Sequence, residues 1–247
     1  MAQQNIYDNE TFFAGYRRLR ENEANANVLF EMPALFSMLP DLHGMKVLDL
    51  GCGFGEHYME YVRRGAEKVT GIDISEKMLE AARRENSDER IEYIRMPMEE
   101  LDRLEGTYDT VVSSLAMHYV EDFAGVVGSI YRLMSDGGTF VYSQENPLCT
   151  CYSGGDRWTR DESGHKLYIN LSDYCVEGER STEWFVDGVK TYHRMFSTVL
   201  NTLTAAGFTV EHMIEPTCDD DIVSRYPHFA DLRHKPDFLV VRAVKRV

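Results

Sequence analysis

Val47-Leu48-Asp49-Leu50-Gly51-Cys52-Gly53-Phe54-Gly55-Glu56 is the stretch that decides how the rest of the chain is read. Its first four residues have the apolar character of a buried strand. The glycines then make a turn, and helical spacing follows. In open α/β sheets such a strand–turn–helix junction is where a nucleotide-like ligand is held. A glycine pattern alone is weak, because glycines punctuate loops of every kind, so the neighbouring segments carry the decision.

From Lys46 to about Val141 short β-branched runs alternate with amphipathic helical patterns. Strands are expected at Lys46–Leu50, Lys68–Asp73, Ile91–Arg95, Tyr108–Ser113 and Gly138–Tyr142. That alternation predicts a Rossmann-like α/β fold, a doubly wound parallel sheet covered on both faces. Ser75 reads as an N-cap before Met78, Leu79 and Ala82, and Met134-Ser135-Asp136-Gly137-Gly138 as a helix end turning into the fifth strand. Helical spacing resumes from about His193 to Ala206. Strand-like Phe208–Ile214 and Phe238–Val244 follow and are expected to pair antiparallel at the sheet edge.

Two parts break the pattern. Residues 1–44 are polar and helical, with Phe12, Phe13, Tyr16 and Leu19 on one face suited to a lid over the mouth of the sheet. Residues 144–192 lack long periodicity yet hold both tryptophans, Trp158 and Trp184, among several tyrosines; the length is that of a functional insertion, an aromatic cap over a substrate. The expected division is therefore 1–44 lid, 45–143 ligand-binding core, 144–192 cap and 193–247 the remainder of the sheet, all within one domain.

Composition limits the partners. The 247 residues are 43% hydrophobic, enough for a large core, and 26 Lys and Arg against 41 Asp and Glu give a net charge of −15. Nucleic acid would meet a repulsive average field. Met1 to Phe13 has no basic region leading into an apolar stretch, and no run approaches about 18 uninterrupted apolar residues, so a soluble cytoplasmic protein without membrane partners is expected. The five cysteines are irregularly spaced and suit free thiols; no cluster has the spacing of a metal site.

Gly51 and Gly53 let backbone approach a ligand, and amides at the following helix start favour a negative group. Dinucleotides and S-adenosylmethionine both fit that description. The dinucleotide fingerprint asks for Gly or Ala where Glu56 stands, and a carboxylate there repels a pyrophosphate. A ligand with a single amino-acid carboxylate suits the turn better, with Asp49 placed to attract its ammonium group. Asp73 ends the second strand about 20 residues beyond the turn, where it can accept both hydroxyl protons of a ribose.

Val47–Glu56, Gly71–Ser75, Met96–Leu101, Tyr108–Tyr119 and Asp136–Gly138 together resemble, in order and spacing, the motifs of class I S-adenosylmethionine-dependent methyltransferases. The resemblance covers roughly residues 40 to 145. It implies seven strands with an antiparallel last one and S-adenosylmethionine as cofactor. Asp49, Gly51, Cys52 and Gly53 then surround the methionine part, Asp73 holds the ribose, Ile74 packs on adenine and Met98 offers an amide to the adenine edge. Many relatives have Asp where Pro97 stands, and Glu99 is the substitute expected here. Ser114 and Leu115 after the fourth strand, with Tyr16 and Arg20 of the lid, complete the expected cofactor site.

Methyl transfer is an in-line displacement, so the protein aligns a nucleophile and removes its proton where it has one. His118, after the fourth strand, is the first catalytic candidate, more for positioning than as a base. Tyr192-His193-Arg194 offers His193 as a base and Arg194 as an anion clamp, or a plain helix start; Glu145 is the weakest of the three. The leading reading is methyl transfer to an O or N atom of a small, partly apolar or aromatic molecule. A nicotinamide-dependent oxidoreductase and a non-catalytic binding module are the alternatives.

Overall fold

A computed structural model describes residues 4–152 and 154–246. Five strands follow one another in parallel: β1 (Lys46–Leu50), β2 (Lys68–Asp73), β3 (Ile91–Arg95), β4 (Tyr108–Ser113) and β5 (Met134–Glu145). An insertion carries two antiparallel hairpins, β6 (Trp158–Arg160) with β7 (Lys166–Ile169) and β8 (Gly178–Trp184) with β9 (Val186–His193). The chain then completes the sheet with β10 (Phe208–Ile214) and β11 (Phe238–Lys245), giving the order β10-β11-β5-β4-β1-β2-β3. β11 runs antiparallel to both neighbours, so it lies inside the sheet and β10 forms the edge.

Side-chain alternation along these strands builds two layers of core. Leu48, Ile72, Val111, Phe140 and Val241 face one way. Their neighbours Val47, Val69, Val112, Val141 and Val240 face the other. Helices α1 (Glu10–Arg20), α2 (Met32–Ser37), α3 (Tyr58–Arg63), α4 (Glu76–Glu85), α5 (Phe123–Leu133), α6 (Pro147–Thr150) and α7 (Phe196–Ala205) surround the sheet. α5 and α7 bury Val127, Ile130, Val199 and Leu203 on the first face, and α2 and α3 bury Leu35, Tyr58 and Tyr61 on the second. No helix among the described residues is long and apolar enough to cross a membrane.

Local signals act as their chemistry demands. Ser75 caps α4 by accepting the Met78 amide at 3.2 Å. The stretch Met134–Gly138 differs from the helix-end reading: α5 stops at Leu133 and β5 already begins at Met134, with a bulge before Thr139 pairs with Thr110. Left-handed Gly137, at φ 81°, absorbs that excursion. His193 closes β9 and does not open a helix, because the cross-strand pair Gly178–His193 extends the hairpin.

The N-terminal segment bridges core and insertion. Phe13 of α1 meets Phe54 of the glycine turn, while Phe12 on the same helix meets Trp184 and Phe185. Gln4 extends the bridge by donating to the Gly188 carbonyl at 2.8 Å and accepting the Lys190 amide at 2.9 Å.

Gly71 in β2 pairs with Asp49 and lies under the Tyr58 ring. A β-carbon there would overlap the Tyr58 hydroxyl and sit 2.6 Å from its Cζ. Gly71→Ala is therefore expected to lower the unfolding free energy by about 1–3 kcal/mol through overpacking. Urea titration with an unchanged slope checks it, and a variant as stable as the parent would contradict the contact.

Candidate active site

Asp73 is the hinge of the site. It ends β2 with its carboxylate buried, Oδ2 accepting the Gly53 amide at 2.9 Å and Oδ1 the Ser75 amide at 2.8 Å. Burial pushes this carboxyl up to about 6, against the opposing pull of those backbone hydrogen bonds. Gly53 adopts φ 54°, and the space beyond its α-carbon is open. A side chain there would fill the cradle that the turn forms.

Three cavities converge after β1 and β4. The first, about 290 Å³, runs past Gly53, Asp73, Ile74, Met98 and Glu99. The second, about 390 Å³, lies between β5 and the insertion, against His118, Glu145 and Trp184. A small third cavity of about 40 Å³ lies at Asp49, Cys52, Glu56 and His57. Tyr16 and Leu115 border all three. Leu115 has a left-handed backbone, φ 51°, held by its amide donating to Ser143 Oγ at 3.0 Å.

Comparison with known proteins agrees with this geometry. Residues 48–142 match the family described as "Methyltransferase domain". A crystal structure of an S-adenosylmethionine dependent methyltransferase from Mesorhizobium loti is 38% identical with a TM-score of 0.78, covering 87% of this chain and 97% of that one. An uncharacterized protein of Haemophilus influenzae is 39% identical over 246 residues, 97% of this chain and 96% of its own length. A ubiquinone biosynthesis O-methyltransferase of Acinetobacter baumannii is 38% identical over 178 residues, 70% of this chain and 67% of that enzyme. The chain belongs to the class I S-adenosylmethionine-dependent methyltransferases. The nicotinamide and non-catalytic alternatives give way.

The residues present fit the methyltransferase's donor. The first cavity joins a carboxylate at the strand end to the Met98 segment over one continuous trough, and the third adds an acid and a histidine beside the glycine turn. His57 Nε2 on that wall is buried without a hydrogen-bond partner among the described residues. Burial and the nearby Arg20 charge hold this imidazole neutral, its pKa down at about 3. Asp49 is pushed well above the carboxylate range, chiefly by burial. When bound, S-adenosylmethionine supplies a sulfonium-linked methyl group.

The structure brings most of the expected cofactor residues together. Gly51, Gly53, Asp73, Ile74, Met98, Glu99, Ser114, Leu115 and Tyr16 line the first cavity, and Asp49, Cys52 and Arg20 line the third. Arg20 has a protein partner there, an ion pair with Glu56. Ser114 Oγ donates to Glu31 Oε1 at 2.9 Å, and the Ser143 hydroxyl donates to the same oxygen. Tyr7 and His57 line the cavities and Glu31 stands behind Ser114, and sequence reasoning missed all three. Glu31 lies 18 residues before Asp49 on a separate helical turn, and no spacing rule connects the two.

The catalytic candidates separate. His118 lies on the second cavity with its Nδ1 accepting the Glu145 amide at 3.4 Å, which leaves the ring proton on Nε2. Burial, with the Arg194 charge, lowers its pKa to about 3, so it faces the cavity as a neutral donor. His193 is fully buried away from the cavities. Its Nε2 donates to the Tyr174 carbonyl at 2.9 Å and its Nδ1 accepts from Thr150 Oγ1 at 2.8 Å, a set of bonds that leaves no nitrogen for a base. Arg194 is no anion clamp, because its guanidinium donates to the Val120 and Glu121 carbonyls and covers the Phe123 ring.

Asp73→Asn is expected to weaken S-adenosylmethionine binding about 10- to 150-fold, the loss of a charge-assisted hydrogen bond worth about 1.5–3 kcal/mol. The raised pKa gives the pH dependence its sign: parent affinity is full above about pH 6 and falls as Asp73 protonates below it. Calorimetry across that range checks both points. A parent affinity independent of pH, or an unimpaired variant, would remove Asp73 from the site.

Proposed function

We propose that this methyltransferase moves the methyl group to an oxygen or nitrogen atom of a small molecule held in the second cavity. One observation carries the reading. Tyr16 and Leu115 border the donor trough and the second cavity at once, so the two ligands meet at a shared wall. A pocket of about 390 Å³ suits a small organic molecule. The Acinetobacter relative is named for O-methylation in ubiquinone biosynthesis, which supports transfer to a small molecule rather than to a macromolecule.

The proposed division of labour follows the elements. Residues 1–44 act as the lid, 45–143 as the donor-binding core, 144–192 as the acceptor cap and 193–247 as the rest of the sheet. Asp73 holds the ribose, Ile74, Met98 and Glu99 the adenine, and Asp49, Gly51, Cys52 and Gly53 the methionine part. His57 and the Arg20–Glu56 pair flank that end. Tyr7 and Tyr16 of the lid and Trp184 of the cap close over the acceptor. The cap thereby excludes water from the transfer. His118 positions the acceptor by donating its Nε2 proton to a polar atom other than the one methylated, since an imidazole held to a pKa of about 3 is a poor base near neutrality.

Calorimetry with S-adenosylmethionine, its demethylated product S-adenosylhomocysteine and NAD tests the donor, and the first two are expected to bind. His118→Ala should retain that binding while kcat/KM on a turned-over acceptor falls about 10- to 100-fold. The shape of the pH profile should be unchanged. A parent limb near the ordinary histidine pKa that vanishes in the variant would show a base, not a positioning residue.

A further inference from the structure

We propose that the acceptor is an amine and that the Glu145 carboxylate receives it, holding the ammonium form and taking up its proton; the inference rests on the methyl-transfer reading above. Glu145 ends β5 and lines the second cavity. Its backbone is engaged, the amide donating to His118 Nδ1 and the carbonyl accepting from Gln144 Nε2 at 3.5 Å. Its carboxylate forms no hydrogen bond or ion pair among the described residues. Such a group, lining a cavity, is available to a ligand.

The other charges of the cavity select the ligand's sign. Lys235 forms an ion pair with Asp237 and donates to Cys149 Sγ at 3.2 Å, so these two charges cancel. The Cys149 thiol is pushed up to about 12, mainly by burial, and is neutral, as is His118. Arg157 donates to the Cys149 carbonyl at 3.2 Å and lies 4.7 Å over the Tyr152 ring. It acts on Glu145 through space without pairing to it among the described residues. Glu145 and Glu183 therefore stand against one guanidinium, and an anion entering this cavity meets a net negative wall.

The remaining walls favour a cation as well. Tyr7, Tyr16, Tyr119 and Trp184 present aromatic surface to the same space, and an ammonium over such rings gains about 0.5–2 kcal/mol. Burial raises the Glu145 carboxyl, which brings its proton affinity closer to that needed to accept a proton near neutrality. The proton balance closes on residues of the chain. The bound ammonium gives one proton to Glu145, and the freed nitrogen lone pair forms the new bond to the methyl carbon. The carbon–sulfur bond breaks with its electron pair passing to sulfur, and Glu145 releases the proton to solvent.

Three isosteric probes test the sign directly: benzylamine, benzyl alcohol and benzoate, titrated calorimetrically into the protein saturated with S-adenosylhomocysteine near neutral pH. Benzylamine is expected to bind at least about tenfold tighter than the alcohol, with benzoate weakest. Glu145→Gln should abolish the amine's advantage while S-adenosylhomocysteine affinity stays at the parent value. Equal binding of amine and alcohol, tighter binding of benzoate, or an amine preference that survives in Glu145→Gln would overturn the proposal. Should that variant fail the S-adenosylhomocysteine control, the order of the three probes on the parent decides alone. A parent that does not bind S-adenosylhomocysteine removes the methyl-transfer reading itself, whereas one that binds it and shows no amine preference removes only this inference.

Discussion

Asp73 accepts the Gly53 amide with one oxygen and the Ser75 amide with the other, so a single carboxylate fixes the turn after β1 to the start of α4. Both segments lie just beyond the ends of strands, where the ladder of the sheet no longer holds them. The turn needs its left-handed glycine to point an amide inward, and α4 needs Ser75 as its cap. Burying the charge is costly, which is why its carboxyl is pushed up to about 6. The two amides offset part of that cost and leave lone pairs of the same carboxylate for a ligand's hydroxyls. The trough and the fold around it thus share one interaction.

A second buried carboxylate performs the matching task on the other side of β1. Glu31 accepts from Ser114 and Ser143, and Ser143 Oγ accepts the amide of Leu115. The left-handed conformation of Leu115 costs on the order of 1 kcal/mol for a residue with a β-carbon. That strain is concentrated at the wall where all three cavities meet, and the serine–glutamate network holds it in place. The N-terminal segment therefore reaches the centre of the site through Glu31 as well as covering it through α1.

The sheet was legible because its signals are local. Short β-branched runs, the Ser75 cap and the glycine turn each encode their own geometry within a few residues. The order of five such segments then indicated the ligand. Where distant residues decide, sequence leaves the alternatives open. His118 and His193 look equivalent as sequence, each next to a tyrosine. A partner 43 residues back, Thr150, and the Tyr174 carbonyl occupy both nitrogens of His193, whereas His118 accepts the neighbouring strand's amide at Nδ1 and lines a cavity. Arg194 reads as a clamp until the Val120 and Glu121 carbonyls are seen around it. The first hairpin of the insertion was hidden because β6 and β7 are three and four residues long, too short to show a period.

The electrostatics of the donor end carry the argument one step further. Asp49, Asp73 and Glu31 are all buried, all pushed upward by desolvation, and Asp49 is pushed further by the other two charges. Arg20 opposes part of this from the rim but is itself paired with Glu56. A chain with net charge −15 gains little from adding more acids to its interior unless a ligand of opposite sign occupies the space between them. A sulfonium donor is such a ligand. Its positive charge favours the ionised form of each carboxylate that burial disfavours, so binding and ionisation reinforce each other. The product carries no sulfonium charge and loses that part of the attraction. The same acids that make the empty site expensive to fold therefore discriminate between the molecule that must enter and the one that must leave.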